Sequence, residues 1–209
     1  VQPNIALGNK SIDVNLYQHS VYLAKFAKEH DLKLSPVIGV PTASIGLYSK
    51  KHKSIKEIKN GTVITIPNDP SNLARTLIFF KSLKLIDIKN DIDALKATEK
   101  DITSNPNKIV FQPVEAAQLP RTLDSIDYAA VPGNYAISSG IYASAITRET
   151  LIPQYINVIA VRDEDLNEQF VKDIKEIVES KDFVKVINDQ KYVFRNFQKP
   201  EWLIKKWGK

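Results

Sequence analysis

At 209 residues, with 43% apolar and 25% charged side chains, the chain can bury a sizeable core as one large domain or two smaller lobes. The absence of cysteine excludes disulfides, thiolate zinc sites and a cysteine nucleophile, and suits an oxidising compartment. The net charge of +5 invites a nucleic-acid reading. However, 24 of the 29 basic residues are lysines scattered singly or in pairs, and no finger, RNP or basic-zipper motif accompanies them.

In chain order, the opening "VQPNIALGN" has neither the basic start nor the apolar core of a signal peptide, and a start without methionine reads as a processed or trimmed chain. Residues 20–30, "SVYLAKFAKEH", place Leu23, Phe26, Ala27 and His30 on one helical face. Residues 32–49 are extended, interrupted by Pro36 and Pro41. "GTVITIP" (61–67) is a strand, and 71–86 a helix with Leu73, Ala74, Leu77, Ile78, Phe80 and Leu83 inward. "KIVFQPV" reads as a strand, "EAAQLPRTLDS" as a short helix tolerating Pro120, and "IDYAAVP" (126–132) as a strand. "GNYAISSG" is a turn leading into a short helix. "YINVIAVR" (155–162) is a strand, and 163–180 the clearest helix, with Asp163 as cap and Leu166, Phe170, Ile174, Ile177 and Val178 as its stripe. "KDFVKVINDQK" is a last helical stretch before an irregular tail carrying Trp202 and Trp207. Strands alternating with amphipathic helices indicate an α/β protein. Extended segments around Tyr48 and Ile159 bracket the middle of the chain, as two strands crossing between lobes would. Ligands of open α/β sheets sit beyond the carboxyl ends of strands, which directs attention to a crevice between the lobes.

Three stretches can carry chemistry. In "IPNDPSNLARTL" (66–77) a strand ends at Pro67, Asn68-Asp69-Pro70 turns, and Asn72 and Arg75 stand in the first turns of a helix. Arginine is disfavoured by the macrodipole there, so an anion to hold would explain it; free N–H groups and a bidentate guanidinium can bind a carboxylate or phosphate. A capped helix with a surface ion pair is the plainer alternative, with Asp69 capping or orienting Asn72. In "DVNLYQHSVYL" (13–23), Tyr17, His19 and Tyr22 cluster at a strand-to-helix junction and can wall a pocket, or simply pack a core with one hydrogen-bonded histidine. "VPGNYA" (131–136) can offer backbone donors to a ligand or be an ordinary turn. Catalytic patterns are poor. The three histidines lack metal-ligand spacing, and there is no G-x-S-x-G, Walker A or G-x-G-x-x-G, so an enzyme is not expected.

"YSKKHKSIKEIKNG", "IPNDPSNLARTL", "EAAQLPRTLD", "GNYA" and "YINVIAVR", with "VQPNIALG" and "DVNLYQHSVYL", resemble in order and spacing the NlpA/MetQ family of methionine-binding lipoproteins, substrate-binding components of bacterial ABC importers. The likeness covers essentially the whole chain. It implies a two-lobed, type II periplasmic-binding-protein-like α/β fold with two crossing hinge strands. Lobe 1 would comprise residues 1–48 and 159–209, and lobe 2 residues 49–158. The lobes would close on L-methionine or a related amino acid or dipeptide, with no catalysis, cofactor, metal or nucleic acid involved. The family's cleft aromatic, histidine and tyrosine fall on Tyr17, His19 and Tyr22. Its carboxylate-binding arginine falls on Arg75, with Asn72 beside it, and the asparagine before its final hinge strand on Asn157. Partners implied are an ABC transporter permease and a membrane, reached through a lipid anchor, at the periplasm or cell surface. The family's lipobox cysteine and first strand–helix–strand unit precede the "VQPN" motif, so the N-terminal part of lobe 1 is expected to be missing.

Two positions depart from the family. Pro132 replaces an asparagine that helps hold the ligand's polar end, and proline offers neither a side-chain amide nor an N–H. Losing such a partner to a charged group costs on the order of 1–3 kcal/mol. Tyr17 adds a hydroxyl where phenylalanine is common. The alternative they raise is a surface lipoprotein that kept the fold for binding or adhesion with altered or lost amino-acid specificity.

Overall fold

The chain divides into two units, one running to Ala43 and resuming at Leu151, the other Ser44–Thr150. The computed structural model describes residues 2–208, so Val1 of the "VQPN" motif and Lys209 lie outside it. The first unit begins with α1 (Gln2–Gly8), which sequence periodicity did not assign. Its Asn4 is fully buried and exchanges hydrogen bonds with Gln18, Nδ2 to Oε1 at 2.7 Å and Nε2 to Oδ1 at 2.6 Å; Asn15 Nδ2 adds a third at 3.0 Å. Buried amides persist when their donors and acceptors meet partners, and this trio seats β1 (Asn15–His19). β1 leads directly into α2 (Ser20–Glu29), which buries Leu23, Phe26 and Ala27. His30 lies just past its end, exposed and stacked on Phe26 at 4.1 Å, rather than on the buried face. β2 (Leu34–Gly39) follows and is an edge strand, where Pro36 needs to donate no ladder hydrogen bond.

The second unit holds β3 (Gly46–Tyr48), β4 (Val63–Pro67), α3 (Pro70–Ser82), β5 (Asp87–Ile88), β6 (Ile102–Ser104), β7 (Val110–Val114), α4 (Leu119–Thr122), β8 (Tyr128–Val131), α5 (Gly133–Ser138) and β9 (Thr147–Arg148). Five strands pair in the order β7–β4–β8–β3–β9; β4 is parallel to both neighbours, and β3 antiparallel to both of its own. α3 packs Leu73, Ala74, Leu77, Phe79 and Phe80 against Ile64, Ile66, Tyr128 and Ala130. Burial runs nearly all round this helix, so Phe79 is covered and Ile78 only partly. The helix stops at Ser82, before the expected 86, because Lys84 adopts φ 60°. β5 and β6 form a small antiparallel pair that no sequence signal marked.

The chain then re-enters the first unit. β10 (Asn157–Arg162) runs antiparallel between β1 and β2, with Val158–Val161 buried, as an interior strand covered on both faces requires. β3 pairs only within the second unit and β10 only within the first. The changeovers therefore lie outside both strands, after Ala43 and after Thr150, rather than at Tyr48 and Ile159. Asp163 does not cap the following helix. It opens a single 3-10 turn, Asp163–Asp165, and accepts from Ser35 Oγ at 2.7 Å, while α6 (Gln169–Val178) starts later behind Glu168. On α6, Val171 and Val178 are buried and Ile177 is 64% exposed. α7 (Lys181–Asn188) follows. The tail with both tryptophans is a helix, α8 (Glu201–Trp207), anchored by Trp202 Nε1 donating to Gly39 O at 2.7 Å. Just before it, Gln198 bridges both changeovers: its backbone pairs with Thr42, and its side-chain amide exchanges hydrogen bonds with the Leu151 backbone.

Candidate functional site

In the first unit the candidate residues gather at one end of the three-stranded sheet. β1 carries an extra residue between Leu16 and Gln18, so Tyr17 is the bulge. A bulge re-aims side chains: Gln18 turns inward to the amide trio, while Tyr17 is 37% exposed. Two residues on, His19 is buried and lies opposite Asn157 across the ladder. His19 is also the N-cap of α2, its Nδ1 accepting the Tyr22 N–H at 3.1 Å. An accepting Nδ1 places the proton of the neutral ring on Nε2, so His19 presents a donor there. Tyr22 meets Tyr17 edge-on, with ring centroids 6.3 Å apart, and stacks on Phe26. Burial, then the neighbouring Tyr22, pushes the Tyr17 hydroxyl well above the usual tyrosine range, so it stays protonated and polar. Asn157 is tied by its own N–H to Thr42 Oγ1 at 2.8 Å and by its carbonyl to the Val40 N–H at 2.8 Å.

Tyr155 was not singled out from the sequence, yet its ring meets His19 edge-on at 5.1 Å and is 1% exposed. The signal available was its place in "YINVIAVR", two residues before Asn157. A cavity of about 450 Å³ in the same unit, between Gly39, Ile156, Val158, Pro200 and Ile204, is lined by none of the residues carried over from the family.

In the second unit the site grows from the β4–α3 junction. Pro70 occupies the first helical position and Asp69 the N-cap, its carboxylate accepting the Asn72 N–H at 3.0 Å and the Ser71 hydroxyl at 3.0 Å. That carboxylate therefore takes a helix-start N–H that an external anion would have used. Asp69 also grips the Asn72 side-chain amide at 3.1 and 3.2 Å, orienting Asn72 Oδ1 toward Arg75 Nη1, 3.5 Å away. Asp69→Ala is expected to cost about 0.5–2 kcal/mol of stability, read by urea denaturation. Asp69→Asn, which keeps an acceptor, is expected to lose less.

Arg75 is 5% exposed and does not point into bulk solvent. Its Nε donates to Glu149 Oε1 and Oε2 at 2.9 and 3.0 Å, and its Nη2 donates to Glu149 Oε1. Glu149 is a second residue that sequence reading missed. It follows β9, far from Arg75 along the chain, and an acidic residue in "AITRET" carries no local mark of burial. Beside it, Arg148 turns to another neighbourhood: its guanidinium lies 4.5 Å from the centre of the Tyr142 ring and donates to the Tyr142 carbonyl. Burial pushes the nearby Tyr48 hydroxyl up to about 12, with the Arg148 charge opposing. Pro132 is the N-cap of α5; its carbonyl accepts the Tyr135 and Ala136 N–H groups at 3.0 and 3.1 Å. Thus "VPGNYA" is a turn entering a helix.

Tyr17, His19, Tyr22 and Asn157 are brought together in one unit, and Asn72 and Arg75 in the other. Among the described residues no group of three or more histidine, aspartate or glutamate side chains could hold a metal, and no helix is long and apolar enough to cross a membrane.

Residues 1–202 match the NlpA lipoprotein family. The chain is 34% identical over 191 residues to the "probable D-methionine-binding lipoprotein MetQ" of Vibrio cholerae, which spans 90% of this chain and 71% of that protein. Its fold superposes with a TM-score of 0.85 on a nutrient-binding protein from Burkholderia cenocepacia bound to methionine, at 36% identity, covering 91% of this chain and 80% of the other. An ABC transporter periplasmic substrate-binding protein from Coxiella burnetii gives 0.83 at 35% identity, covering 89% and 79%. The α/β architecture is that of periplasmic substrate-binding proteins.

Proposed function

The chain belongs to the NlpA lipoprotein family, and from that premise we propose that it is the substrate-binding component of an ABC importer, taking methionine or a related small amino acid or dipeptide. Arg75 is the observation that carries this reading. A guanidinium held rigidly at the mouth of α3, beside an oriented asparagine, suits recognition of a ligand carboxylate. Tyr17, His19, Tyr22 and Asn157 offer aromatic surface and polar groups of the kind an amino-acid side chain and ammonium group need, and Tyr155 backs the histidine. Relatives bearing the names of a methionine-binding lipoprotein and of a transporter's substrate-binding protein support it.

The protein performs no covalent chemistry. The ligand-bound form is what a membrane permease recognises. The match to a lipoprotein family supports a periplasmic or cell-surface location, with a lipid anchor holding the protein to a membrane. A second reading, a surface binding or adhesion module that kept the fold but lost amino-acid binding, draws on Pro132, which cannot supply the family's amide.

Thermal denaturation across the amino acids and short peptides separates the two. At a hundredfold excess over Kd, methionine is expected to stabilise the protein by about 2.7 kcal/mol, raising Tm by roughly 5–10 °C. No rise with methionine or any other member of the panel would reject the transport reading and favour the second.

A further inference from the structure

Arg75 does not meet a ligand as an isolated cation. A guanidinium has two edges able to take a carboxylate side-on or end-on. The edge formed by Nε and Nη2 is committed to Glu149, and the Nη1–Nη2 edge borders Asn72. Glu149 is itself fixed, because its Oε1 also accepts the Ile45 N–H at 2.5 Å. Both side chains of the pair are 5% exposed, so water screens little of the charge between them.

Resting on the reading of Arg75 as the ligand's carboxylate partner, we infer that Glu149 is a positioning residue and internal counter-ion that sets the site's charge selectivity. The Arg75–Glu149 pair sums to zero charge. A ligand carboxylate docked on the Nη1–Nη2 edge then puts two carboxylates on one guanidinium, in surroundings where like charges repel strongly. A zwitterion offsets that repulsion with its own ammonium group; an anion of the same shape does not. Glu149 therefore favours amino acids over isosteric acids that lack the amine.

The probes are L-methionine and its 2-hydroxy analogue, which replaces the ammonium with a hydroxyl and carries one net negative charge. Calorimetry on the wild type is expected to show preference for methionine. Glu149→Gln keeps an acceptor for Ile45 and Arg75 while removing the charge, and is expected to narrow the affinity ratio at least tenfold. A purely structural role would weaken both ligands alike. If the wild type binds methionine and the ratio is unchanged in the folded variant, this inference alone falls. If the wild type binds neither probe, methionine falls as the ligand, and this inference falls with it. A crystal structure of the wild type with methionine provides an arm independent of the variant's folding. Glu149 still seated on Nε with the ligand carboxylate on Nη1–Nη2 supports the inference, and Glu149 displaced by the ligand overturns it.

Discussion

Replacing Arg75 with alanine is expected to lower methionine affinity at least tenfold, about 1.4 kcal/mol, and to destabilise the fold by about 3–5 kcal/mol. The first effect is loss of the ligand's charge partner. The second arises because Glu149 would remain buried with the Ile45 N–H as its one fixed donor, and an unpaired buried carboxylate is far costlier than a missing surface ion pair. Urea denaturation reads the stability and calorimetry the affinity. The pairing of these effects can be dissected. Arg75→Met combined with Glu149→Leu removes both charges together and is expected to recover most of the stability, since apolar replacement of a buried pair is often neutral or better. It should recover none of the affinity. A double variant that binds methionine as the wild type does would remove Arg75 from the site.

The second large effect is expected in the other unit. Arg162 ends β10 with 8% of its surface exposed, donating from Nη1 to the carbonyls of Leu7 and Ile12 at 2.9 and 2.7 Å. Its Nη2 reaches Asp13 at 2.9 Å and its Nε pairs with Asp165 at 2.6 Å. One guanidinium thus staples α1, and the chain leading into β1, onto the central strand. Arg162→Ala leaves two carbonyls and the Asp165 carboxylate without that partner, and about 3 kcal/mol or more of destabilisation is expected. Hydrogen exchange should show the loss of protection concentrated in residues 2–19, which include Tyr17 and His19, with the second unit little changed. Lysine at this position keeps the charge but not the fork and is expected to rescue only partly. Equal deprotection of β4 and α3 would show that the staple is not local.

What could be read from residues alone followed the range of the interactions involved. The β4–α3 junction was legible because its cap, its first proline and its asparagine interact over three residues, within one helical turn. The aromatic group on β1 and α2 was legible for the same reason, and His19 proved to be the cap of α2. Long helices behaved less well where burial overrode periodicity. α3 is covered nearly all round, and α6 starts six residues after the aspartate that resembled its cap. The C-terminal segment looked irregular because its order depends on Trp202 and Gln198 reaching distant backbone, which no local pattern encodes.

The sequence by itself determined the α/β class, the family, and which side chains stand near one another along each element, because helix and strand periods and caps act between near neighbours. Tertiary structure alone decided that Tyr17 is a bulge, that the changeovers lie outside β3 and β10, and that Arg75 is held by Glu149. Those outcomes depend on sheet register and on which distant carboxylate reaches a buried guanidinium, choices made by burial of the whole unit rather than by any short run of residues.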